Sequence, residues 1–281
     1  MRLFVTGATG FVGSHFVQAA LAAGHEVVGL RRSSHSVPRV PIEPAPSWLD
    51  KTMDNLVAAD FAGVDVLVHL AAHTANVPYD TLENCLWWNQ TVPLRMFRRA
   101  IDAGVTSFLV AGSCFEYGAS AERYEFIPPN APLEPTLSYP TSKAAASVAF
   151  HGLAAEHRLR LAILRLFQVY GEGEQETRFW PSLRRAAVEG RNFPMSAGEQ
   201  VRDFIEVKDV AKALVSALDF KHVEPGAAYI CNVGSGKAQT LRAFAEYWWQ
   251  HWAATGRLIV GEVPYRKNEV MRLVPLVCPP K

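Results

Sequence analysis

Three groups of residues in this chain have the types and the spacing to do chemistry. The first is Gly7-Ala8-Thr9-Gly10-Phe11-Val12-Gly13, three glycines at intervals of three, directly after the apolar run Leu3-Phe4-Val5. A strand that turns through glycines into a helix lets the backbone approach a ligand closely. The helix start then offers free N–H groups and a positive dipole end to a phosphate. The second group is Tyr139-Pro140-Thr141-Ser142-Lys143. Pro140 suits the first turn of a helix, and residues four apart share one face of it. A phenol is too weak an acid for proton transfer at neutral pH, so the pairing predicts an ammonium that favours the phenolate and brings Tyr139 towards the working range. The third is Ser113, in Ala111-Gly112-Ser113-Cys114, whose hydroxyl could bond a reacting oxygen. A glycine turn or a YxxxK alone is a weak signal. Together they describe a dinucleotide site beside an acid–base site.

Such a site needs a sheet to carry it. Glu26-Val27-Val28-Gly29-Leu30 reads as a second strand, reached through Gly24-His25 at the end of a helix over residues 14–21. Residues 64–70, 108–111 and 160–165 are further strands, with helices over 94–103 and 141–157. Strands alternating with helices imply right-handed βαβ units and a parallel, doubly wound sheet. The segment 33–48 carries Pro38, Pro41, Pro44 and Pro46 and reads as a surface loop. The second strand ends Leu30-Arg31-Arg32-Ser33-Ser34. A carboxylate there would hold the ribose 2′-hydroxyl of NAD, whereas arginine suits the 2′-phosphate of NADP. Arg31, Arg32 and Ser33 therefore predict NADP(H), with NAD(H) as the alternative.

Composition bounds the class. The chain has 281 residues, 49% of them hydrophobic, enough for a full core. A net charge of +1 gives no footprint for nucleic acid or an anionic membrane surface. Cys85, Cys114, Cys231 and Cys278 form no CxxC and no metal-ligand spacing, which suits a reducing compartment. No apolar run approaches a membrane span and the chain starts on a strand, so a cytoplasmic protein without a signal peptide is expected. His69 and His73 have zinc-helix spacing but lack the glutamate and fall at a strand end, so no metal is expected. Trp248, Trp249 and Trp252 read as packing of a small domain, Trp87 and Trp88 as core or subunit contact, and Arg184-Arg185 as a solvated helix face.

These residues resemble a family, the extended short-chain dehydrogenase/reductases of the NAD-dependent epimerase/dehydratase type that act on nucleotide sugars. The resemblance rests on the glycine loop, His69-Leu70-Ala71-Ala72, Ser113 with Tyr117-Gly118, and Tyr139 with Lys143. It continues through Leu164-Arg165-Leu166-Phe167 to Tyr170-Gly171, and Arg202-Asp203-Phe204-Ile205 to Asp209-Val210-Ala211. It implies a Rossmann-type domain over residues 1–166, with a later contribution from about 205–222, and a smaller C-terminal substrate-binding region over 167–281. By the same resemblance Ser113, Tyr139 and Lys143 are catalytic. Gly7, Thr9, Gly10, Phe11, Val12, Gly13, Leu49, Asp50, Leu70, Ala71, Ala72 and Asn89 meet the cofactor with Tyr139 and Lys143, Leu49 and Asp50 lying near the adenine. Ser113, Cys114, Phe115, Gln168, Arg178 and Arg202 face the substrate, Arg202 as a clamp on its diphosphate. Helices 94–103 and 141–157 are implied to pair across a two-fold axis in a homodimer, the second being rich in small residues (Ala144, Ala145, Ala146, Ala149, Gly152).

Two departures from the family narrow the expected reaction. Cys114-Phe115 stands where the family's sugar dehydratases carry an Asp-Glu pair, so dehydration is not expected. The C-terminal tail is short, which implies a smaller or more open substrate region. The expected activity is NADPH-dependent reduction of a keto group on a nucleotide-linked sugar, a 4-keto-6-deoxyhexose, in the pattern of the 4-ketoreductases. Three alternatives stay open: an NAD-dependent nucleotide-sugar epimerase, a ketoreductase of a non-sugar natural product, and a dinucleotide-binding sensor without turnover.

Overall fold

The structure, a computed structural model, describes residues 1–266 and 269–277. Its centre is built by the apolar runs. β1 (Arg2–Thr6) carries Leu3, Phe4 and Val5 with no exposed surface. A strand buried on both faces requires a layer on each side. The chain continues through α1 (Phe11–Ala22), β2 (Glu26–Arg31), β3 (Ser47–Asp50) and β4 (Val66–His69). Then α2 (Leu82–Leu86) runs through a π-helical turn at Trp87–Thr91 into α3 (Val92–Asp102), followed by β5 (Ser107–Ser113), α4 (Ser138–His157) and β6 (Arg160–Leu166). Next come β7 (Gln168–Tyr170), α5 (Phe179–Val188), β8 (Phe193–Met195), β9 (Val201–Glu206), α6 (Val207–Ser216) and β10 (Ala228–Val233). The last described elements are β11 (Ala238–Thr240), α7 (Leu241–His251), β12 (Leu258–Val260) and β13 (Arg272–Leu273).

Seven strands form one sheet in the order β10-β6-β5-β4-β1-β2-β3, parallel at every pairing. This is an α/β, Rossmann-type doubly wound fold. The winding reverses between β1 and β4, and an open α/β sheet takes its ligand at the carboxyl ends beside that point. Side-chain alternation divides the core. Leu3 and Val5 pack with Phe16, Val17, Val210 and Leu214 under α1 and α6. Phe4 points the other way, with Met96, Phe97, Phe108 and Phe150 under α3 and α4.

Beyond β6 the chain builds smaller pieces. β9 joins β11, β7 and β13, and β8 pairs with β12. Trp248, Trp249 and Trp252 pack around Leu183, Met195 and Ala245, while Arg184 and Arg185 are solvent-exposed. The chain returns to the large sheet with α6 and then β10.

Two sequence expectations shift. The loop from residue 33 ends before Ser47, because Ser47 and Trp48 pair with β2 as part of β3; Gly29 admits the Trp48 ring, which a Cβ at residue 29 would meet at 2.7 Å. The helix expected over 94–103 starts at Val92 and continues α2. Cys85 and Cys114 are buried free thiols and Cys231 is buried in β10, while Cys278 lies outside the described residues. Among the described residues no helix is long and apolar enough to cross a membrane.

Candidate active site

The glycine loop is shaped by contacts that exclude side chains. Gly7 has φ +69°, and a Cβ there would lie 2.6 Å from the Ala71 nitrogen. A Cβ at Gly13 would lie 1.9 Å from the Gly7 carbonyl oxygen, so α1 rises directly off the loop. Gly10 N–H donates to that same oxygen at 2.8 Å. No side chain caps α1 and no acidic residue stands in its first turn. The N–H groups of Phe11, Val12 and Gly13 are thus left to an anion, and the cradle fits a dinucleotide pyrophosphate. Thr9 anchors the proline-rich segment by accepting the Arg39 N–H at 3.1 Å.

Across the switch point, Leu70 and Ala71 bond back to Thr6, through its carbonyl at 3.2 Å and its hydroxyl at 3.4 Å. Ala72 is exposed beside them. Asn89 is buried and holds the following loop: its Oδ1 accepts the His73 N–H at 2.7 Å, and its Nδ2 donates to Ser142 Oγ at 3.0 Å. Neither histidine of the HxxxH stretch is free. His69 Nδ1 lies 2.7 Å from Thr6 Oγ1, and His73 Nε2 lies 2.8 Å from Asp80.

At the end of β2, Arg31 Nε donates to Asp50 Oδ1 at 2.5 Å, and its guanidinium stands 5.0 Å from the Trp48 ring centre. The sequence assigned these two residues to different parts of the cofactor; β2–β3 pairing puts them opposite one another. Leu49 packs into the core beneath them, Arg32 is exposed and Ser33 half-buried.

β5 and α4 bring the three reactive groups together. Ser113, Tyr139 and Lys143 are 7%, 7% and 5% exposed. A Ser113 hydrogen bond pulls the Tyr139 pKa down, but burial outweighs it and holds the phenol well above its ordinary range. The expected lowering by Lys143 is not seen. The Lys143 ammonium donates to the Ala111 carbonyl at 2.7 Å, and its own pKa is depressed by burial. Tyr139 therefore stands protonated at neutral pH. The Tyr79 ring lies 5.4 Å from it, tilted by 34°.

The substrate side is built from distant segments. Cys114 is buried, and burial pushes its thiol up to about 12, so it transfers no proton at neutral pH. Phe115 and Gln168 are half-buried. Arg178 donates through Nε to Glu174 at 3.3 Å and through Nη1 to Asn76 Oδ1 at 3.0 Å. Arg202 donates through Nη2 to Glu269 Oε1 and to the Val270 carbonyl, both at 2.6 Å. Both arginines expected to face the substrate, with Arg202 as the expected diphosphate clamp, thus hold an acidic side chain here.

The profile of the NAD dependent epimerase/dehydratase family matches residues 3–234. The chain belongs to that family. Over 288 residues it is 28% identical to the UDP-glucose 4-epimerase of Corynebacterium glutamicum, covering 95% of this chain and 84% of that protein. It is also similar to the solved structure of TunA, an NAD-dependent NDP-hexosamine 5,6-dehydratase of tunicamycin biosynthesis. That match has 27% identity and a TM-score of 0.81, over 98% of this chain and 88% of the other. MoeE5 in complex with UDP-glucuronic acid and NAD matches at 26% identity and a TM-score of 0.82, over 99% and 90%.

Within this epimerase/dehydratase chain the structure adds three site residues that the sequence analysis missed. Glu269 reaches Arg202 from 67 positions away, and no local pattern marks it. Tyr79 lies on a loop without periodicity. Glu116 carries a signal: Ser113-x-x-Glu116 has capping-box spacing.

Proposed function

We propose that the protein reduces a keto group on a nucleotide-linked sugar, a 4-keto-6-deoxyhexose, with NADPH. The bound nicotinamide supplies hydride to the keto carbon. Tyr139 donates its proton to the oxygen on which charge develops, and Ser113 holds that oxygen. Burial of the phenol favours this direction, because a proton donor must first be protonated. Lys143 orients the cofactor ribose and keeps a positive charge in the site. Arg178 and Arg202 hold the diphosphate, Gln168 and Phe115 border the sugar, and Cys114-Phe115 supplies no acid–base pair for water loss.

The observation that carries the reductase reading is Arg31. Its guanidinium is held by Asp50 through Nε at 2.5 Å and Nη2 at 3.5 Å, and the exposed Arg32 beside it adds a second positive charge at the end of β2. That suits a 2′-phosphate. The second reading, an NAD-dependent epimerase, is favoured by the resemblance to the Corynebacterium glutamicum enzyme and uses the same three groups. We assign residues 1–166, with the return near 205–222, to the cofactor and 167–281 to the substrate. We further propose a cytoplasmic homodimer paired through α3 and α4.

Titrating NADPH and NADH into the wild type and Arg31→Asp tests the cofactor assignment. The wild type is expected to bind NADPH at least about tenfold more tightly, a difference of about 1.4 kcal/mol, and the variant to reverse the order. Equal wild-type affinities would contradict it.

A further inference from the structure

Behind the reactive groups lies a carboxylate that the reaction above does not use. Glu116 has no exposed surface. Its Oε1 accepts the Ser113 backbone N–H at 2.7 Å. Its Oε2 accepts Ser147 Oγ at 2.8 Å and Arg165 Nε at 2.9 Å. Three elements converge on one carboxylate: β5 at the residue that bears the reactive hydroxyl, α4 one turn beyond Lys143, and β6. Gly112 makes room for it, since a Cβ there would meet Oε1 at 2.8 Å. Arg165 is 2% exposed and is itself fastened, donating to the Tyr117 hydroxyl and to the Pro129 carbonyl, both at 2.9 Å.

We propose that Glu116 is a positioning residue, whose carboxylate pins the end of β5 to α4 and so fixes Ser113 against Tyr139 and Lys143. The inference rests on the reading of these three as the catalytic groups. A purely structural ion pair would need only Arg165 and Glu116. Here the oxygen that does not meet Arg165 is spent on the backbone of Ser113, and the one that does also reaches the helix carrying Tyr139.

Glu116→Gln alone leaves a buried arginine without its counter-ion, a change that can unfold a domain. The test therefore uses two double variants in which no charge is stranded. Glu116→Gln with Arg165→Met keeps an acceptor for the Ser113 N–H; Glu116→Leu with Arg165→Met removes it. Both are expected to fold, because an apolar replacement of a buried pair is tolerated. Turnover is measured with NADPH and a UDP-linked 4-keto-6-deoxyhexose, and with UDP-glucose for epimerisation. The leucine variant is expected to lose about 10²-fold in kcat, the scale of a 1 Å misplacement, with KM changed less than about threefold. The glutamine variant is expected to recover to within about threefold of wild type. Amide exchange over residues 113–117, read by mass spectrometry, should accelerate only in the leucine variant, and this needs no substrate. Equal kcat in the two double variants, or equal exchange over 113–117, overturns the proposal. Tyr139→Phe measured alongside separates the two ideas: if it leaves turnover intact, the catalytic reading fails rather than the positioning of Ser113.

Discussion

The proposed cofactor side and the proposed substrate side of this protein are made differently. On the cofactor side the ligand surface is backbone: Gly7, Gly10 and Gly13 turn the chain so tightly that an added Cβ at Gly13 would overlap a carbonyl. On the substrate side the surface is side chains, and each arginine arrives already paired. Arg178 holds Glu174, and Arg202 holds Glu269. Arg31, at the outer end of the cofactor cleft, follows the second pattern with Asp50. A backbone site is set by local sequence and is ready before its ligand comes. A site of latched arginines depends on partners from elsewhere in the chain, and an incoming anion must share or displace them.

The largest effect should come where the two sides meet. Tyr139→Phe removes the proposed proton donor and keeps the ring against Tyr79, so kcat is expected to fall about 10²–10⁴-fold while NADPH affinity changes little. Steady-state kinetics with a fluorescence titration of NADPH checks both halves. Loss of cofactor affinity in parallel would mean that the phenol belongs to the cofactor side alone.

Next in size is the backbone side. Gly13→Ala places a methyl group where the Gly7 carbonyl stands, so α1 must shift off the loop. Dinucleotide affinity is expected to fall at least about tenfold, or about 1.4 kcal/mol. Binding of UDP, followed by calorimetry, should hold within about twofold. An equal loss for both ligands would erase the distinction between the two sides.

The carboxylate of the Arg178 pair gives a pH signature. Glu174 has a side chain only 7% exposed and one oxygen without a partner, and burial pushes its carboxyl up to about 7. The folded protein therefore keeps this proton after the unfolded chain has released it. Its contribution is present below about pH 4.5 and is lost as pH rises towards 7, amounting to about 3 kcal/mol. Urea unfolding at pH 5 and pH 8 should show that decline in the wild type and a flatter dependence in Glu174→Gln. Parallel curves would place the carboxyl in ordinary solvent.

The smallest effect is expected at the Arg202 latch. Glu269→Gln releases the guanidinium from its resident anion while keeping the side chain's shape. UDP affinity is expected to rise by about threefold, or about 0.7 kcal/mol, by isothermal calorimetry. A fall would assign Glu269 itself to the nucleotide.

This division also explains what could be read from sequence. The parallel sheet, the loop over Gly7 to Gly13 and the Ser113, Tyr139 and Lys143 group follow from apolar periodicity and short spacings, and the structure brings the three groups together. Arg31 and Asp50 were legible as residues but not as partners, because β2–β3 pairing is what opposes them. The raised phenol pKa was not legible either, since burial of Tyr139 is a property of the assembled fold. Glu116 stood in plain view at capping-box spacing from Ser113, but its bonds to Ser147 and Arg165 cross three elements.

The fate of one hydride separates reduction from epimerisation. The protein, mixed with NADPH deuterated at the transferring position and a UDP-linked 4-keto-6-deoxyhexose, is expected to yield one deuterium on the former keto carbon of each product, with one NADP⁺ formed per sugar. Interconversion of a UDP-hexose with no deuterium incorporated and no NADPH consumed, together with tightly held NAD⁺ released when the protein is denatured, would contradict it in favour of an epimerase.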